Sequence, residues 1–452
     1  MIPTNSSINY LENRFLSYYA NASFIHDGRY TVSASTRLDD TNLFGASNKY
    51  RNIPLYSMGA KWNLFNESFF NVSQVDLLQL RVTYGTNGNV VRTTSPFLQA
   101  GIDQETFPYV HQSSFIATAP NPKLQLEKTK TLNLGLDFGL FGNRVSGSLE
   151  YYVKKSEDLL ADRQLNPTIG LLSVLLNSGE LTNKGIDVDL TLIPISSGKF
   201  QWSTQGIFSM NSNTLTKVDI PENLLFSYVT GSATIKGEAL RTIYSYNHAG
   251  LDRNGAPQYL NEEGDIVDFK TEISNVEALV KNGTVVPRYY GSWINTLRYG
   301  GLSLRTLMTF KAGHVFRYTD SFGGNYFPTY IASVFVENVP EDFNDRWQRP
   351  GDENRTNVPA FPSFSDSLTP GYSNLPESDL YVDSAAHIRW SQISLAYDLN
   401  EKNLAPLGLQ SFQIGLQADN IAVWNFNKWD VDPENILIPR QPTFTLSIKT
   451  SF

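Results

Sequence analysis

Apolar and polar residues alternate in two adjoining stretches of the chain, on either side of the turn at Phe141-Gly142-Asn143. A period of two over about ten residues on each side of a tight turn predicts a long antiparallel hairpin between Thr129 and Lys155. One face of this hairpin is apolar, and the other carries Asp137 and Glu150. A strand needs this division when one face meets lipid and the other a wet lumen. The apolar positions are Leu132, Leu134, Leu136, Phe138, Val145, Leu149, Tyr151 and Val153.

The same period recurs along the rest of the chain and predicts about thirteen strands in all. Short turns such as Gly300-Gly301 join them into hairpins, and long polar connections separate the hairpins. Alternating short turns and long loops are typical of an outer-membrane barrel. The sequence therefore predicts an all-β fold, a transmembrane antiparallel β-barrel with long extracellular loops. The remaining predicted strands are Arg14–Asp27, Arg29–Asp39, Ile53–Leu64, Leu77–Gly85, Gly185–Ile193, Phe200–Asn211, Arg288–Tyr299, Leu302–Lys311, His387–Leu399, Leu409–Asn420 and Phe444–Phe452.

Four long connections are predicted, and two of them are large enough to carry structure of their own. Ser212–Val286 contains the turn signals Arg253-Asn254-Gly255 and Glu262-Glu263-Gly264-Asp265, which predict a small hairpin inside it. Gly313–Ser384 is dense in Pro, Tyr, Phe, Asn and Asp. The other two predicted connections are Asn87–Lys128 and Ser156–Asn183.

Strand parity bears on how much of the barrel this chain supplies. If Phe452 ends the last strand at the periplasm, the first predicted strand starts on the outside. A single-chain bacterial barrel has an even number of strands. We therefore expect residues 1–452 to be the C-terminal portion of a single barrel domain, whose early strands precede Met1. The first fifteen residues lack the basic and apolar segments of a signal peptide.

Composition narrows the class of protein without changing this picture. The chain has 27 Phe and 23 Tyr among 452 residues, which suits strands flanked by aromatic girdles. No run of about eighteen apolar residues occurs, so the sequence excludes a transmembrane helix. The net charge is −8 and no basic stripe is present, which argues against nucleic acid as a partner.

The sequence predicts no catalytic residues, no metal site and no cofactor. Five His are scattered without metal-ligand spacing and Cys is absent, so a zinc site lacks its usual ligands. The segment that starts at Asp252 departs from the pattern of a calcium loop at its fifth and sixth positions, and a plain turn is the better interpretation. Solvated loop charge is the better interpretation of the acidic cluster Asp430–Glu434. The histidines are His26, His111, His248, His314 and His387.

Aromatic residues in the connection Gly313–Ser384 are the candidates for a binding surface. Exposed rings in an outer loop stack on sugar rings or bury against a partner that covers the barrel. The alternative is that they pack within the loop or belong to a girdle. The candidates for contact with a ligand or a lid are Tyr326, Tyr330, Trp347, Phe361 and Tyr372, with Phe327 and Phe364 in the same stretch.

Seven sequence blocks, in order, resemble SusC/RagA-type TonB-linked outer-membrane transporters. Each block alone is weak, but their shared order over nearly the whole chain is specific. The blocks are RYTVSASTRLDDTNLFG, LRVTYGTNGN, NPKLQLEKTKTLNLGLDFGLFGNRVSGSLEYYVKKSEDLL, NSGELTNKGIDVDL, PRYYGSWINTLRYGGLSL, HIRWSQISLAYDL and WDVDPENILIPRQPTFTLSIKTSF.

The resemblance implies a 22-stranded barrel that is filled by an N-terminal plug and covered by a SusD-like lipoprotein. It implies import of glycans or peptides, driven by the TonB complex. No plug and no TonB box are found in these 452 residues. We therefore expect the chain to act with the remaining plug and barrel portion, through which TonB would act, in the lipid of the bacterial outer membrane.

Two other functions remain open at this stage. The first is a free-standing passive porin or diffusion channel of about fourteen strands, which this chain length would suit. The second is a soluble β-rich surface protein. Pores formed by the chain alone in liposomes would favour the first, and recovery in the aqueous phase on detergent extraction would favour the second.

Overall fold

Most of the described residues lie in β-strands, so the expected all-β class is confirmed. The computed structural model describes residues 14–42, 53–89, 97–103, 113–118, 120–164, 168, 173–218, 224–321, 340–399 and 409–451. The strands in this part of the chain are β1 Phe15–His26, β2 Tyr30–Thr41, β3 Ile53–Asn63, β4 Val75–Asn89, β5 Gln99–Asp103, β6 Ser113–Thr118, β7 Glu127–Leu140, β8 Val145–Gln164, β9 Ser173–Ser197, β10 Phe200–Lys217, β11 Thr242–Tyr246, β12 His248–Leu251, β13 Pro257–Leu260, β14 Ile266–Val267, β15 Leu279–Thr284, β16 Tyr289–Tyr299, β17 Leu302–Ala312, β18 Val315–Arg317, β19 Val382–Ser384, β20 His387–Asp398, β21 Ser411–Asn425 and β22 Thr443–Ser451.

Within the described residues, 13 of these strands form one antiparallel sheet in the order β1-β2-β3-β4-β7-β8-β9-β10-β16-β17-β20-β21-β22. The number agrees with the prediction from periodicity. The other strands form four small sheets, namely β5 with β6, β11 with β15, β12 with β13 and β14, and β18 with β19. Short α-helical turns occupy Leu225–Val229, Phe364–Ser367 and Pro370–Asn374, and 3-10 turns occupy Leu64–Asn66, Val276–Ala278, Glu341–Asp345, Asp352–Asn354, Leu375–Glu377 and Asp379–Tyr381.

No helix in the described part of the chain combines the length and the apolar character that crossing a membrane requires. The chain divides into two compact units. The first comprises Met1–Phe138, Glu150–Lys184 and Asn213–Glu222, and the second comprises Gly139–Leu149, Gly185–Ser212 and Asn223–Phe452.

In the first unit, polar side chains share one face of neighbouring strands, as the alternation predicts. Arg81 on β4 binds Asp137 on β7 through Nε–Oδ2 at 2.7 Å, and its Nη2 lies 2.8 Å from Oε1 of Glu150 on β8. The amide of Asn133 donates to the second oxygen of Glu150 at 2.9 Å. Leu134, between Asn133 and Gly135, is exposed on the opposite face. The prediction that Asp137 and Glu150 lie together away from the apolar face is confirmed.

In the second unit, strand register aligns apolar residues in rows. Leu297, Leu304, Leu395, Leu416 and Leu446 are consecutive cross-strand partners on β16, β17, β20, β21 and β22. Cross-strand partners lie on the same face of a sheet, so this row marks an apolar face.

Tryptophans collect on the same face. Trp293 on β16 pairs with Met308 on β17, which pairs with Trp390 on β20. Together with Trp202 and Trp424 they line an apolar groove of about 570 Å³.

Strands β8 and β9 extend well beyond the bounds that their periodicity predicts. Most of the predicted connection Ser156–Asn183 is strand, since β8 continues to Gln164 and β9 begins at Ser173. The amide of Asn177 on β9 donates to the carbonyl oxygens of Gln125 and Asp158 at 3.0 and 2.7 Å. These cross-strand bonds stabilise extended backbone whose side chains do not alternate in polarity, so the sequence pattern did not reveal it.

The connection Ser212–Val286 contains the small hairpin that its turn signals predict. Arg253-Asn254-Gly255 joins β12 to β13, and Glu262-Glu263-Gly264-Asp265 joins β13 to β14. The Asp252 carboxylate accepts from the backbone N–H groups of Asn254 and Ala256, each at 2.8 Å. The carboxylate that would begin a calcium loop therefore stabilises the turn, in agreement with the expectation of a plain turn.

Candidate functional site

The connection between β10 and β16 and the connection between β17 and β20 pack together into one ordered body. We call it the loop domain and define it as residues 224–288, 313–321 and 340–386. The backbone N–H of Gly371 donates to the carbonyl of Phe269 at 2.7 Å, and the hydroxyl of Tyr259 donates to the carbonyl of Gly371 at 2.5 Å. The N–H of Ala360 donates to the carbonyl of Gly255 at 2.9 Å. These bonds join segments about a hundred residues apart.

The loop domain has an apolar core of its own. Val229, Tyr246, Tyr259, Ile273 and Ala278 form a buried cluster, against which Leu225, Val267 and Leu279 pack. Tyr259 is 1 % exposed. Burial of this kind contributes about 1.5–3 kcal/mol for each large side chain. The domain therefore has the apolar interior that a fixed binding surface requires.

An arginine anchors the loop domain from inside. Arg317 on β18 pairs with Glu377, and its second terminal nitrogen donates to the carbonyl of Tyr244 and the hydroxyl of Ser245, both at 3.1 Å. Burial lowers the pKa of Arg317, and the negative charge of Glu377 partly offsets this effect. Burial raises the pKa of Glu377, and the positive charge of Arg317 partly offsets that effect. Removing either partner would leave a buried charge without compensation.

The described candidate aromatics differ in how accessible they are. Phe361 is 47 % exposed, so about half of its surface is accessible. Tyr372 is 3 % exposed and meets Phe269 edge to face with ring centroids 5.5 Å apart, so its ring contacts the chain itself. Trp347 is half-buried. Tyr326 and Tyr330, with Phe327, lie outside the described residues, as does the side chain of Phe364.

The ring of Trp347 packs against Gly255. A Cβ added at Gly255 would lie 2.5 Å from the Trp347 ring, so the ring covers a position that only glycine can occupy, with φ at +79°. The indole N–H donates to Glu353 at 3.1 Å, and the backbone N–H donates to the carbonyl of Val358 at 3.0 Å. One side of the Trp347 ring thus supports the loop domain from within.

A second polar cluster lies where β20 meets the connection after β21. Arg389 is buried and contacts both carboxylate oxygens of Asp432 at 2.9 Å and an oxygen of Glu434 at 3.1 Å. Lys311 pairs with the other oxygen of Glu434, and His387 lies 3.9 Å from this carboxylate. Asp432 is 9 % exposed. The interpretation of Asp430–Glu434 as solvated loop charge was therefore wrong for Asp432, which Arg389 neutralises inside the protein.

The electrostatics of this cluster follow from its pairing. Burial opposes ionisation of Asp432, but hydrogen bonds from Arg389 and Asn435 outweigh it and hold the pKa of Asp432 below its usual value. Burial likewise opposes ionisation of Glu434, and the hydrogen bond and charge of Lys311 keep its pKa lowered. Both carboxylates are ionised at neutral pH and fix the connection onto the ends of the strands.

Sequence reasoning missed Arg317 and Arg389. Strand alternation could have placed His387 and Arg389 on one face, but their acidic partner lies about forty residues further along. No local pattern links residues so far apart. Among the described residues, no group of three His, Asp or Glu side chains is close enough to hold a metal ion.

Comparison with known proteins gives the family context. The model of a family described as TonB dependent receptor-like, β-barrel, matches residues 2–421. TonB-dependent receptor P26 of Formosa agariphila is 26 % identical over 444 residues, which cover 92 % of this chain and 42 % of that protein. TonB-dependent receptor SusC of Bacteroides thetaiotaomicron is 25 % identical over 264 residues, which cover 54 % of this chain and 26 % of that protein.

Solved structures show the same fold. The structure of the RagAB peptide transporter superimposes with a TM-score of 0.80 at 22 % identity, over 100 % of this chain and 50 % of that one. The RagAB peptide importer in its open-open state gives a TM-score of 0.78 at 21 % identity, over 100 % of this chain and 49 % of that one. The chain thus spans about half the length of these structures and 42 % of the curated receptor P26.

Proposed function

Because this chain belongs to the TonB-dependent receptor-like β-barrel family of the bacterial outer membrane, we propose that it forms part of a TonB-dependent importer of glycan or peptide nutrients. The observation that carries the proposal is the family match over residues 2–421. The two long connections pack into one ordered loop domain, and this agrees with the proposed function, because capture of a nutrient needs a fixed surface at the end of the strands.

The proposed importer acts with partners. These are a SusD-like lipoprotein that covers the loops, the remaining plug and barrel portion of the transporter, and the TonB complex that acts through that portion. The seven resembling sequence blocks and the match to SusC support this assignment. Outer-membrane lipid surrounds the barrel. No nucleic acid and no cofactor take part.

The proposed contact surface is the exposed side of the loop domain. Phe361 is 47 % exposed there, and Trp347 is half-buried and so partly accessible. An exposed ring of this kind stacks on a sugar face or buries against a partner lid. Tyr372 is buried, so it would hold neighbouring residues such as Phe269 in position and would not contact the ligand directly. Tyr326 and Tyr330 remain predicted contacts.

Growth of the native host tests this function. Cells without the chain should lose growth on at least one oligosaccharide or peptide mixture and keep growth on monosaccharides and free amino acids. Depletion of TonB should reproduce the loss. Substitution of Phe361 by Ala should lower uptake about fivefold or more, since a buried aromatic contact contributes about 1 kcal/mol or more.

Phe69 provides the matched control. It lies at the turn that follows β3 and is 68 % exposed, so Phe69→Ala removes an equally large ring from a residue that is not part of the loop domain. Uptake that persists without TonB, together with pores formed by the chain alone in liposomes, would establish the passive barrel instead. Recovery of the chain in the aqueous phase would establish a soluble protein.

A further inference from the structure

A polar cleft of about 850 Å³ lies in the loop domain along residues 344–358. The segment returns on itself through the backbone bond from Trp347 to Val358 and through the 3-10 turns Glu341–Asp345 and Asp352–Asn354. Its walls carry three arginines, against two carboxylates and several uncharged polar groups. The residues that line the cleft are Asn344, Asp345, Arg346, Gln348, Arg349, Asp352, Arg355, Thr356, Asn357 and Val358.

Two acidic side chains of this segment bond to its own backbone. The Asp352 carboxylate accepts from the backbone N–H groups of Gln348 and Arg349 at 3.2 and 3.1 Å. The Glu353 carboxylate accepts from the N–H of Gly351 at 2.7 Å and from the indole of Trp347 at 3.1 Å. Hydrogen bonds to the backbone and to Trp347 lower the pKa of Glu353. The two carboxylates stabilise the loop, and the cleft surface carries Arg346, Arg349 and Arg355 beside Asp345 and Asp352.

The arginines are arranged for an anion. Arg346 lies over the Phe343 ring at 4.1 Å and donates to the Phe343 carbonyl at 3.1 Å, which fixes its orientation. Arg349 is exposed, and the side chain of Arg355 is 74 % exposed, with its Nη1 3.7 Å from Asp352. The planar guanidinium binds a carboxylate through two parallel hydrogen bonds. Three guanidinium groups against the two carboxylates of Asp345 and Asp352 give the cleft an excess of positive charge in a chain of net charge −8, and such an excess attracts anions.

We propose that this arginine cleft binds a carboxylate group of the imported ligand, with Arg349 and Arg355 as the groups that contact it and Arg346 as the oriented wall. The inference rests on the proposed function and names its ligand chemistry. Such a carboxylate belongs either to a uronic acid of an oligosaccharide or to the C-terminus of a peptide.

Binding to the purified full chain in detergent tests the cleft. Four probes are compared by calorimetry at low salt: trigalacturonate, the neutral galactotriose, a tripeptide and the same tripeptide with an amidated C-terminus. At least one carboxylate probe should bind tenfold more tightly than its neutral counterpart. A preference for trigalacturonate alone identifies a sugar acid, and a preference for the free tripeptide alone identifies a peptide terminus.

The double substitution Arg349→Gln with Arg355→Gln should abolish this preference and leave affinity for the neutral probes unchanged. The double substitution Lys199→Gln with Arg298→Gln removes the same charge from exposed residues near the turns at the other end of β10 and β16, and should keep the preference. The limited-proteolysis pattern of each variant checks that the loop domain is folded.

Equal affinity for charged and neutral probes would overturn the proposal that the cleft binds a carboxylate. A preference for the charged probe that survives in the Arg349/Arg355 variant would overturn it as well. Either result would leave TonB-dependent growth intact, so it is distinguishable from failure of the proposed function. Conversely, loss of TonB dependence in cells with retained carboxylate preference in detergent would overturn the transport proposal alone.

Discussion

At the scale of single residues, the largely buried side chain of His248 links the stability of the loop domain to pH. His248 on β12 packs edge to face on Tyr259, with ring centroids 6.1 Å apart. Its Nδ1 accepts from the N–H of Gly250 at 3.3 Å, and no partner for its buried Nε2 is found among the described residues. Burial lowers the pKa of His248 to about 4, and the charge of Asp379 opposes this only in part. The imidazole is therefore neutral in the folded domain.

This depressed pKa predicts acid sensitivity of the loop domain. The unfolded segment takes up a proton near pH 6.5 and the folded one only near pH 4, so stability is complete above about 6.5 and falls as the pH drops toward 4. The loss should be at most about 3 kcal/mol. Hydrogen exchange of the β12 and β13 amides between pH 7.5 and 4.5 measures it. His248→Gln should flatten the profile, whereas His26→Gln, at an exposed turn, should not; equal slopes in all three proteins would contradict the prediction.

At the scale of elements, one close approach joins the two connections of the loop domain. A Cβ added at Gly371 would lie 2.5 Å from Cα and Cβ of Phe269, closer than real atoms approach. The same glycine donates to the Phe269 carbonyl and accepts from Tyr259. The sequence pattern predicted two separate excursions, and this contact shows why they form one body.

Gly371→Ala should therefore loosen the loop domain and leave the large sheet intact. The expected cost is about 1–3 kcal/mol, because the added methyl group must displace backbone. Faster proteolysis within residues 340–386, with unchanged heat-resistant migration of the folded chain, would show it. Gly206→Ala is the control, since its added Cβ meets nothing within 4 Å. Identical proteolysis of both variants would mean that the contact does not hold the connections together.

At the scale of the whole molecule, family membership agrees with the resemblance read from the seven sequence blocks. The family match confirms a TonB-dependent receptor-like β-barrel protein of the bacterial outer membrane, and the similarity to SusC and the fold shared with RagAB agree with the SusC/RagA resemblance. Its relatives are receptors and transporters rather than enzymes, as expected from the scattered histidines. We therefore predict that the apolar face of the second unit, with its leucine row and tryptophan groove, is the face toward lipid.

Tryptophan fluorescence tests this orientation. Trp293 and Trp424 are 52 % and 46 % exposed on that face, so acyl chains of surrounding lipid should touch them. In liposomes with brominated acyl chains, the emission should be strongly quenched, and Trp293→Phe with Trp424→Phe should lower the quenched fraction by about half. Trp347→Phe, in the loop domain, should leave that fraction unchanged or raise it. Quenching that the double substitution does not alter would place lipid on another face.

The sequence by itself determined the thirteen strands of the large sheet, their order along the chain and their two faces, because a period of two and short turn motifs are local signals. The resemblance of seven sequence blocks indicated the family. It also indicated the hairpin inside the connection Ser212–Val286. Only the tertiary structure decided how accessible each loop aromatic is. Phe361 and Tyr372 lie in the same stretch, but Phe361 is 47 % exposed and Tyr372 is 3 % exposed and packs on Phe269, about a hundred residues away. The same holds for Arg317 and Arg389, whose acidic partners are distant in sequence. Burial and pairing across such distances depend on how the chain folds, and no local pattern records them.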